Sequence, residues 1–246
     1  MLAAQTRRFV ARTAHSAADV AAAQALRQLC FRPGQAGEAL DRDAFDARCT
    51  HILIEEAETG LLVCCFRLLA LRGGFEIGQS YSAQHYDLAA LEQFGAPMLE
   101  LGRFCIRPGW GDPDFLRAAW AEMTRIVDRG GVEMLFGCSS FAGTETAGYR
   151  DAFAMLKEEH LAPERWLPRV KAPDVFRFAR VVRGRADKAQ ALRTMPPLLR
   201  SYLAMGGWVS DHAVIDRDLG TLHVFTGLEI GAIPAARVRA LRALAG

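Results

Sequence analysis

Apolar and polar positions along this chain fall into runs that mark its elements in turn. Arg8–Thr13 reads as a short strand. Ser16 suits the cap of an alanine-rich helix, Ala17–Leu29, with Val20, Ala23, Leu26 and Cys30 recurring on or near one face. Two apolar runs, His51–Glu56 and Leu61–Leu71, are joined by Glu58-Thr59-Gly60 and predict a hairpin. Met98–Ile106 predicts a further strand, broken by Pro108, Gly109 and Gly111, and Pro113 suits the first position of a helix reaching Asp128. Val132–Gly137 reads as a strand, Thr146–His160 as a helix, and Pro196–Met205 as a helix closed by Gly206-Gly207. Leu222–Phe225 reads as a late strand and Pro234–Ala245 as a terminal helix. Strands and helices in this order predict an α/β layer fold with a mixed sheet. No repeat or low-complexity linker interrupts it. Arg185–Lys188 is the one plausible seam, so residues 1–246 are expected to form a single domain with 185–246 as a C-terminal extension packed on it.

Composition narrows the class. Of the 246 residues, 51% are hydrophobic and 24% charged, which excludes a wholly disordered chain. The longest stretch without a charge, Met134–Thr144, has 11 residues, whereas a bilayer span needs about 20. Arg7 and Arg8 follow Met1–Ala4 before any apolar run, the reverse of a secretory signal, so a cytoplasmic protein is expected. The six cysteines form no Cys-x-x-Cys and no cluster with the six histidines. That predicts neither a zinc site nor any other metal site, and reduced, mostly buried thiols.

Charge is uneven although the net value is only +2. From His160 to Arg200 ten basic residues face Glu164, Asp174 and Asp187, an excess of seven. Such a stretch suits an acidic protein or an anionic membrane, or is a solvated arginine-rich surface. No nucleic-acid-binding motif accompanies it.

Three groups of residues carry candidate chemistry. Asp43 and Asp46, three apart, share a face of a helical turn, where paired carboxylates hold a cationic amine or form a solvated acidic loop. Glu100 and Arg103 stand inside the apolar strand Leu99–Phe104, where charges persist only when paired or functional. Residues three apart on a regular strand face opposite sides, so a shared role needs a bulge, for which Gly102 is well placed. Arg67 interrupts Val63–Leu69, and Arg27 poses the same question on the first helix: an edge residue, or one that holds an anion or a carbonyl.

The motifs also resemble a known family. Leu99-Glu100-Leu101-Gly102-Arg103-Phe104 resembles the Glu-Leu-x-Arg-Phe strand of autoinducer synthases, members of the wider GNAT-like acyltransferase fold. Asp43-Ala44-Phe45-Asp46 with Cys49-Thr50-His51 is more similar to a block of the L-ornithine N-alpha-acyltransferases of ornithine lipid synthesis. Tyr81-Ser82-Ala83-Gln84, a loop at Gly137–Thr144, and Pro196–Leu203 on through Trp208 and Asp216 to Phe225 resemble the same family in the same order. Arg107-Pro108-Gly109-Trp110-Gly111 departs from the GNAT coenzyme A signature, and Pro108 lacks an amide that could hold a phosphate.

The resemblance implies a GNAT-like three-layer fold with a central mixed twisted sheet. It implies transfer of a 3-hydroxyacyl chain from acyl carrier protein to the α-amine of ornithine, with no separate cofactor. Contact between the basic stretch and the acidic carrier or an anionic membrane at the inner face is a further implication. Glu100 would accept the amine's proton, with Arg103 holding Glu100 or the donor's polar groups. Asp43 and Asp46 would bind the acceptor's cationic groups, and Arg67 and Arg27 its carboxylate or the acyl head. Ser82, Gln84 and His85 would shape the lip of the cleft. An autoinducer synthase, another GNAT enzyme and a membrane-active, haemolysin-like protein are the alternatives, the last supported only by an amphipathic surface helix at Pro196–Met205.

Overall fold

The computed structural model describes residues 8–32, 34, 39–112 and 114–246. Met1–Ala4, Arg7 and Pro113, which entered the sequence reading, lie outside the described residues. The first elements are β1 (Phe9–Thr13), α1 (Ala17–Phe31), β2 (Thr50–Glu56), β3 (Leu62–Leu71), α2 (Ser82–His85), β4 (Tyr86–Asp87), β5 (Met98–Ile106) and α3 (Asp114–Gly130). Then come β6 (Met134–Ala142), α4 (Arg150–Glu159), β7 (Arg169–Val170), β8 (Val175–Phe176), α5 (Phe178–Val181) and α6 (Lys188–Thr194). The chain closes with α7 (Pro197–Ala204), β9 (Trp208–Asp216), β10 (Thr221–Glu229) and α8 (Ala235–Ala245).

These residues sort into two compact units, one holding the chain up to Leu69, Leu101–Gly131 and Val238–Gly246, the other Ala70–Glu100 and Val132–Arg237. The segment 185–246, set apart in the sequence, is therefore divided between them at residue 237.

In the first unit the strands lie in the order β1-β2-β3-β5. Helix α1 starts where expected because Ser16 and Asp19 form a capping box: Ser16 Oγ accepts from Asp19 N at 3.1 Å, and Asp19 accepts from Ser16 N at 3.2 Å. Strands β2 and β3 pair antiparallel, with Leu53 opposite Cys65, and Gly60 turns between them at φ +70°. Ala23 and Leu26 of α1 pack on Leu53, Leu62, Cys65 and Cys105 of the sheet.

The second unit carries the order β5-β6-β10-β9-β8, with β4 and β7 as a separate ribbon. Its core joins Phe141, Phe153, Phe178, Leu199, Leu203, Val209 and Val224. Helix α7 is thus amphipathic, with its apolar face turned into this core while Pro197, Arg200 and Ala204 are exposed. Leu199, Tyr202 and Leu203 are buried, and burying each such side chain is worth about 1.5–3 kcal/mol, so this face is committed to the core.

Several boundaries differ from the sequence reading. Strand β6 runs on to Ala142, so the glycine- and serine-rich segment taken as a loop is mostly strand; its partner β10, nine residues long, sets its length. Residues 147–149 form a 3-10 turn before α4 begins. Strand β9 was not foreseen, because Ser210, Asp211 and His212 interrupt its apolar pattern. Ser210 and His212 are nonetheless buried, and Ser210 Oγ accepts from Phe225 N at 3.1 Å while donating to His212 O at 2.7 Å. No helix among the described residues is long and apolar enough to cross a membrane.

Candidate active site

Unpaired charge does not survive in an apolar interior, and in the first unit three guanidinium groups meet three carboxylates. Arg27, 1% exposed, donates from Nε to Asp41 Oδ2 at 2.7 Å and from Nη1 to Asp46 Oδ1 at 2.8 Å. Arg67, 3% exposed, makes a bidentate pair with Asp43, at 2.5 and 2.7 Å, and reaches Asp46 Oδ1 at 2.7 Å. Arg103 donates to Asp41 Oδ2 and Asp43 Oδ2, each at 3.2 Å. Gln24 Nε2 adds a bond to Asp46 at 2.8 Å, and His51 Nε2 lies 3.0 Å from the Asp46 carbonyl.

Local structure explains the convergence. Asp46 opens a 3-10 turn whose amide bonds back to Asp43 O at 3.2 Å, which turns both carboxylates to Arg67 Nη1. The expectation that Asp43 and Asp46 share a face is met, but what they face is a guanidinium from β3. Burial alone would raise both carboxyls. The bonds and charges of Arg67 and Arg103 on Asp43, and of Arg27, Gln24 and Arg67 on Asp46, outweigh it and hold both below the usual range. The rim of this network is formed by Asp43 and Arg103, whose side chains are 23% and 12% exposed.

Strand β5 is irregular where it carries Arg103. Among the described residues Arg103 is the non-glycine with positive φ, at +53°, so the break falls one residue after Gly102, where it was expected. A side chain in that conformation costs about 1–3 kcal/mol. The stacked rings of Phe66 and Phe104, 5.4 Å apart, flank it.

In the second unit Glu100, 4% exposed, is held by neutral donors. Its Oε2 accepts from Tyr81 N at 2.8 Å, and its Oε1 accepts from Ser82 N at 2.7 Å and Ser82 Oγ at 2.6 Å. The two backbone amides and the Ser82 hydroxyl fix the orientation of both carboxyl oxygens. Ser82, expected at the lip of the cleft, is instead buried. Ser82 to His85 form a short helix, Ser82 is fully buried, and its hydroxyl positions Glu100. Gln84 is exposed and His85 half-buried against the Tyr81 ring. Cys138 Sγ lies 3.5 Å from Ser82 Oγ, and Ser139 Oγ accepts from Thr226 Oγ1 at 2.9 Å.

Sequence reasoning missed Asp41 and Gln24 as members of the first network. The available signal was on α1, where Gln24, Arg27 and Gln28 are polar yet share helical spacing with Ala23 and Leu26. Among the described residues no group of three or more His, Cys, Asp or Glu side chains could hold a metal ion. A cavity of about 450 Å³ in the first unit is lined by Phe9, Arg117, Arg125 and Leu244 and holds none of the predicted residues.

Residues 26–121, which carry Arg27, the three aspartates, Arg67, Glu100 and Arg103, match the Acetyltransferase (GNAT) domain. A protein of Rhodobacter capsulatus named L-ornithine N(alpha)-acyltransferase is 33% identical over 91% of this chain and 90% of its own. One of Brucella abortus with the same name is 30% identical over 89% of this chain and 83% of its own. Among solved structures, FeeM, an N-acyl amino acid synthase from uncultured soil microbes, is 11% identical over 98% of both chains, with a TM-score of 0.49. The chain is thus an acyltransferase with a GNAT-type α/β fold, acting on an acyl donor and an amine acceptor. More narrowly, it belongs to the L-ornithine N(alpha)-acyltransferase family.

Proposed function

We propose that this enzyme moves a 3-hydroxyacyl chain from acyl carrier protein to the α-amine of L-ornithine, giving lyso-ornithine lipid, the first step of ornithine lipid synthesis. The observation that carries the reading is the buried, hydrogen-bonded Glu100 in a chain alike along nine-tenths of its length to a protein named L-ornithine N(alpha)-acyltransferase.

An amine attacks a thioester only when neutral, so the ammonium must first lose a proton. Glu100 takes it, directly or through a water or the Ser82 hydroxyl, and needs no rearrangement because its oxygens are already oriented. The nitrogen forms its bond to the acyl carbon, the C–S bond breaks, and the leaving thiolate takes the nitrogen's second proton to depart as a thiol. Arg27 and Arg67 are buried and fully engaged with aspartates, so their part is to hold the network. Asp46, paired with both, belongs with them. Asp43 and Arg103, on the rim, offer one carboxylate and one guanidinium, the complement of an amino acid with a cationic side chain and an α-carboxylate. The strained backbone of Arg103 supports a role in binding over one in stability.

Acyl carrier protein suits the donor role better than coenzyme A. A coenzyme A pyrophosphate would seek free amides at the start of α3. Here Trp110 N bonds to Arg107 O at 3.2 Å, Asp114 N bonds to Asp112 Oδ1 at 2.9 Å, and Asp112, itself an anion, pairs with Arg8. No separate cofactor enters the reaction. Exposed Arg169, Arg185 and Arg193 suit the acidic carrier and the anionic inner face of the membrane, where the amphiphilic product would go.

The test uses the purified protein with labelled ornithine and a 3-hydroxyacyl chain carried either on acyl carrier protein or on coenzyme A. Labelled lipid is expected from the first donor. Equal turnover with the second would overturn the donor assignment.

A further inference from the structure

In the second unit one face of the sheet packs on α4, and the other carries a group of buried polar rings. On β10, Leu222 and Val224 enter the apolar core with Phe153 and Leu156, so His223 and Phe225 point to the opposite face. Cys138 stands opposite Phe225 in the β6–β10 register and shares that face. Its Sγ lies 3.5 Å from Ser82 Oγ, the hydroxyl that donates to Glu100. The Glu100 carboxyl and His223 are therefore on the same side of the sheet. A line of rings joins them: Tyr81, whose amide donates to Glu100, has its ring 5.0 Å from that of His85, and the His85 ring is 5.0 Å from that of His223.

Hydrogen bonds fix what His223 presents. The single proton of the Tyr86 hydroxyl goes to His223 O at 2.7 Å, so the Tyr86 oxygen accepts from His223 Nδ1–H at 3.1 Å. A neutral imidazole carries one proton, and burial keeps this ring neutral. Its Nε2 is thus a bare acceptor, buried and without a partner among the described residues. His212, whose ring lies 5.2 Å from that of Tyr86, repeats the arrangement: Nδ1 donates to Asp211 Oδ1 at 2.7 Å, and the buried Nε2 has no partner among the described residues. Trp208, stacked on Phe225 at 5.8 Å, adds a buried indole N–H in the same condition.

We propose that His223 is a specificity-determining residue whose Nε2 accepts a hydrogen bond from a hydroxyl on the acyl chain of the donor. The inference rests on the acyl-transfer reading and names the group that recognises the 3-hydroxyl. A carboxylate or a phosphate offers acceptors only and would leave the imidazole nitrogens unanswered. An ammonium would bring a charge into an apolar interior, at greater cost than a neutral group. A hydroxyl donates to an imidazole, accepts from an indole N–H and carries no charge. The rings of Tyr86 and Phe225, 5.8 Å apart, suit the methylenes beside it. A chain without the hydroxyl would leave Nε2 both desolvated and unpaired, which is how a buried polar group discriminates between substrates.

The experiment titrates the full-length protein with 3-hydroxydecanoate and with decanoate in a calorimeter. The hydroxy acid is expected to bind about 10–100-fold more tightly. His223→Phe should bring that ratio close to one, and His223→Gln, which keeps an acceptor oxygen, should retain part of it. The ratio compares two ligands on one sample, so a partly unfolded variant does not distort it. Equal affinity in the unsubstituted protein would overturn the proposal, because solvent and not substrate would then answer Nε2. So would an undiminished ratio in His223→Phe, or binding of neither chain. Neither ornithine nor a thioester enters this titration. Hydroxyl-selective binding by a protein that transfers neither chain would therefore sustain the role of His223 and remove the acyl-transfer reading.

Discussion

A guanidinium in an apolar interior is stable only while its donors are answered, and this decides what each charged residue here does. Asp46 answers both Arg27 and Arg67 from a site 8% exposed. Its replacement by Asn leaves two cations underpaired, and the expected cost is about 3–5 kcal/mol of unfolding free energy in a urea titration. A change under about 1 kcal/mol would show the network to be looser than drawn. Asp43 shares a guanidinium with Asp46 but reaches the rim, so Asp43→Asn is expected to raise the KM for ornithine about tenfold with a smaller effect on kcat. Lost turnover at unchanged KM would move Asp43 to the chemical step. Glu100→Gln is expected to lower kcat by about 10²–10⁴-fold, and near-normal turnover would remove Glu100 as the base. The residues of this network were legible in the sequence because charge inside apolar runs is rare. Their partners were not: Asp41 was only one more acid in a polar segment, and pairing across 62 residues leaves no mark on spacing.

At the level of elements, local rules set the ends of α1 and the β2–β3 hairpin, and both were legible. Ser16→Ala removes one half of a capping box and is expected to cost about 1 kcal/mol, read as a lower thermal midpoint. Where tertiary packing decides, the pattern misleads. Strand β9 reads as polar at its centre because its buried Ser210 and His212 replace apolar contacts with hydrogen bonds to β10 and within β9. Position 227 shows how closely those two strands pack: a β-carbon there would stand 2.4 Å from the Trp208 ring. Gly227→Ala is therefore expected to destabilise the protein by more than a typical surface substitution, at unchanged KM for both substrates. A midpoint equal to that of the parent would contradict this packing. The irregularity in β5 was legible as a need but not as a position, since glycine was the natural candidate and the backbone turns at Arg103 instead.

For the whole molecule, pH reports on groups that folding holds away from their ordinary ionisation. His223 is 2% exposed, and its Nε2 has no hydrogen-bond partner among the described residues. Burial, with added repulsion from His85 and His212, lowers its pKa from 6.5 to about 3. The unfolded chain takes up this proton below 6.5 and the folded one does not, so stability present above that pH falls as pH drops toward about 3. Asp43 and Asp46 act in the same direction at lower pH, since the folded state keeps them ionised where the unfolded chain protonates them. The thermal midpoint should fall from pH 7.5 to pH 5, and His223→Phe should flatten that part of the curve; a flat curve in the parent would contradict the assignment. The basic excess between His160 and Arg200 is also partly internal. Arg165 pairs with Glu229, Lys188 with Glu159, and Lys171 donates to Ala83 O, which composition could not reveal. The central claim, acyl transfer to the ornithine α-amine, is tested most directly by mass spectrometry of lipids from cells that lack the activity and express this chain. The account predicts a new lyso-ornithine lipid with a 3-hydroxyacyl chain on the α-nitrogen, absent when the chain carries Glu100→Gln. No new aminolipid, or one acylated on the side-chain nitrogen, would contradict it.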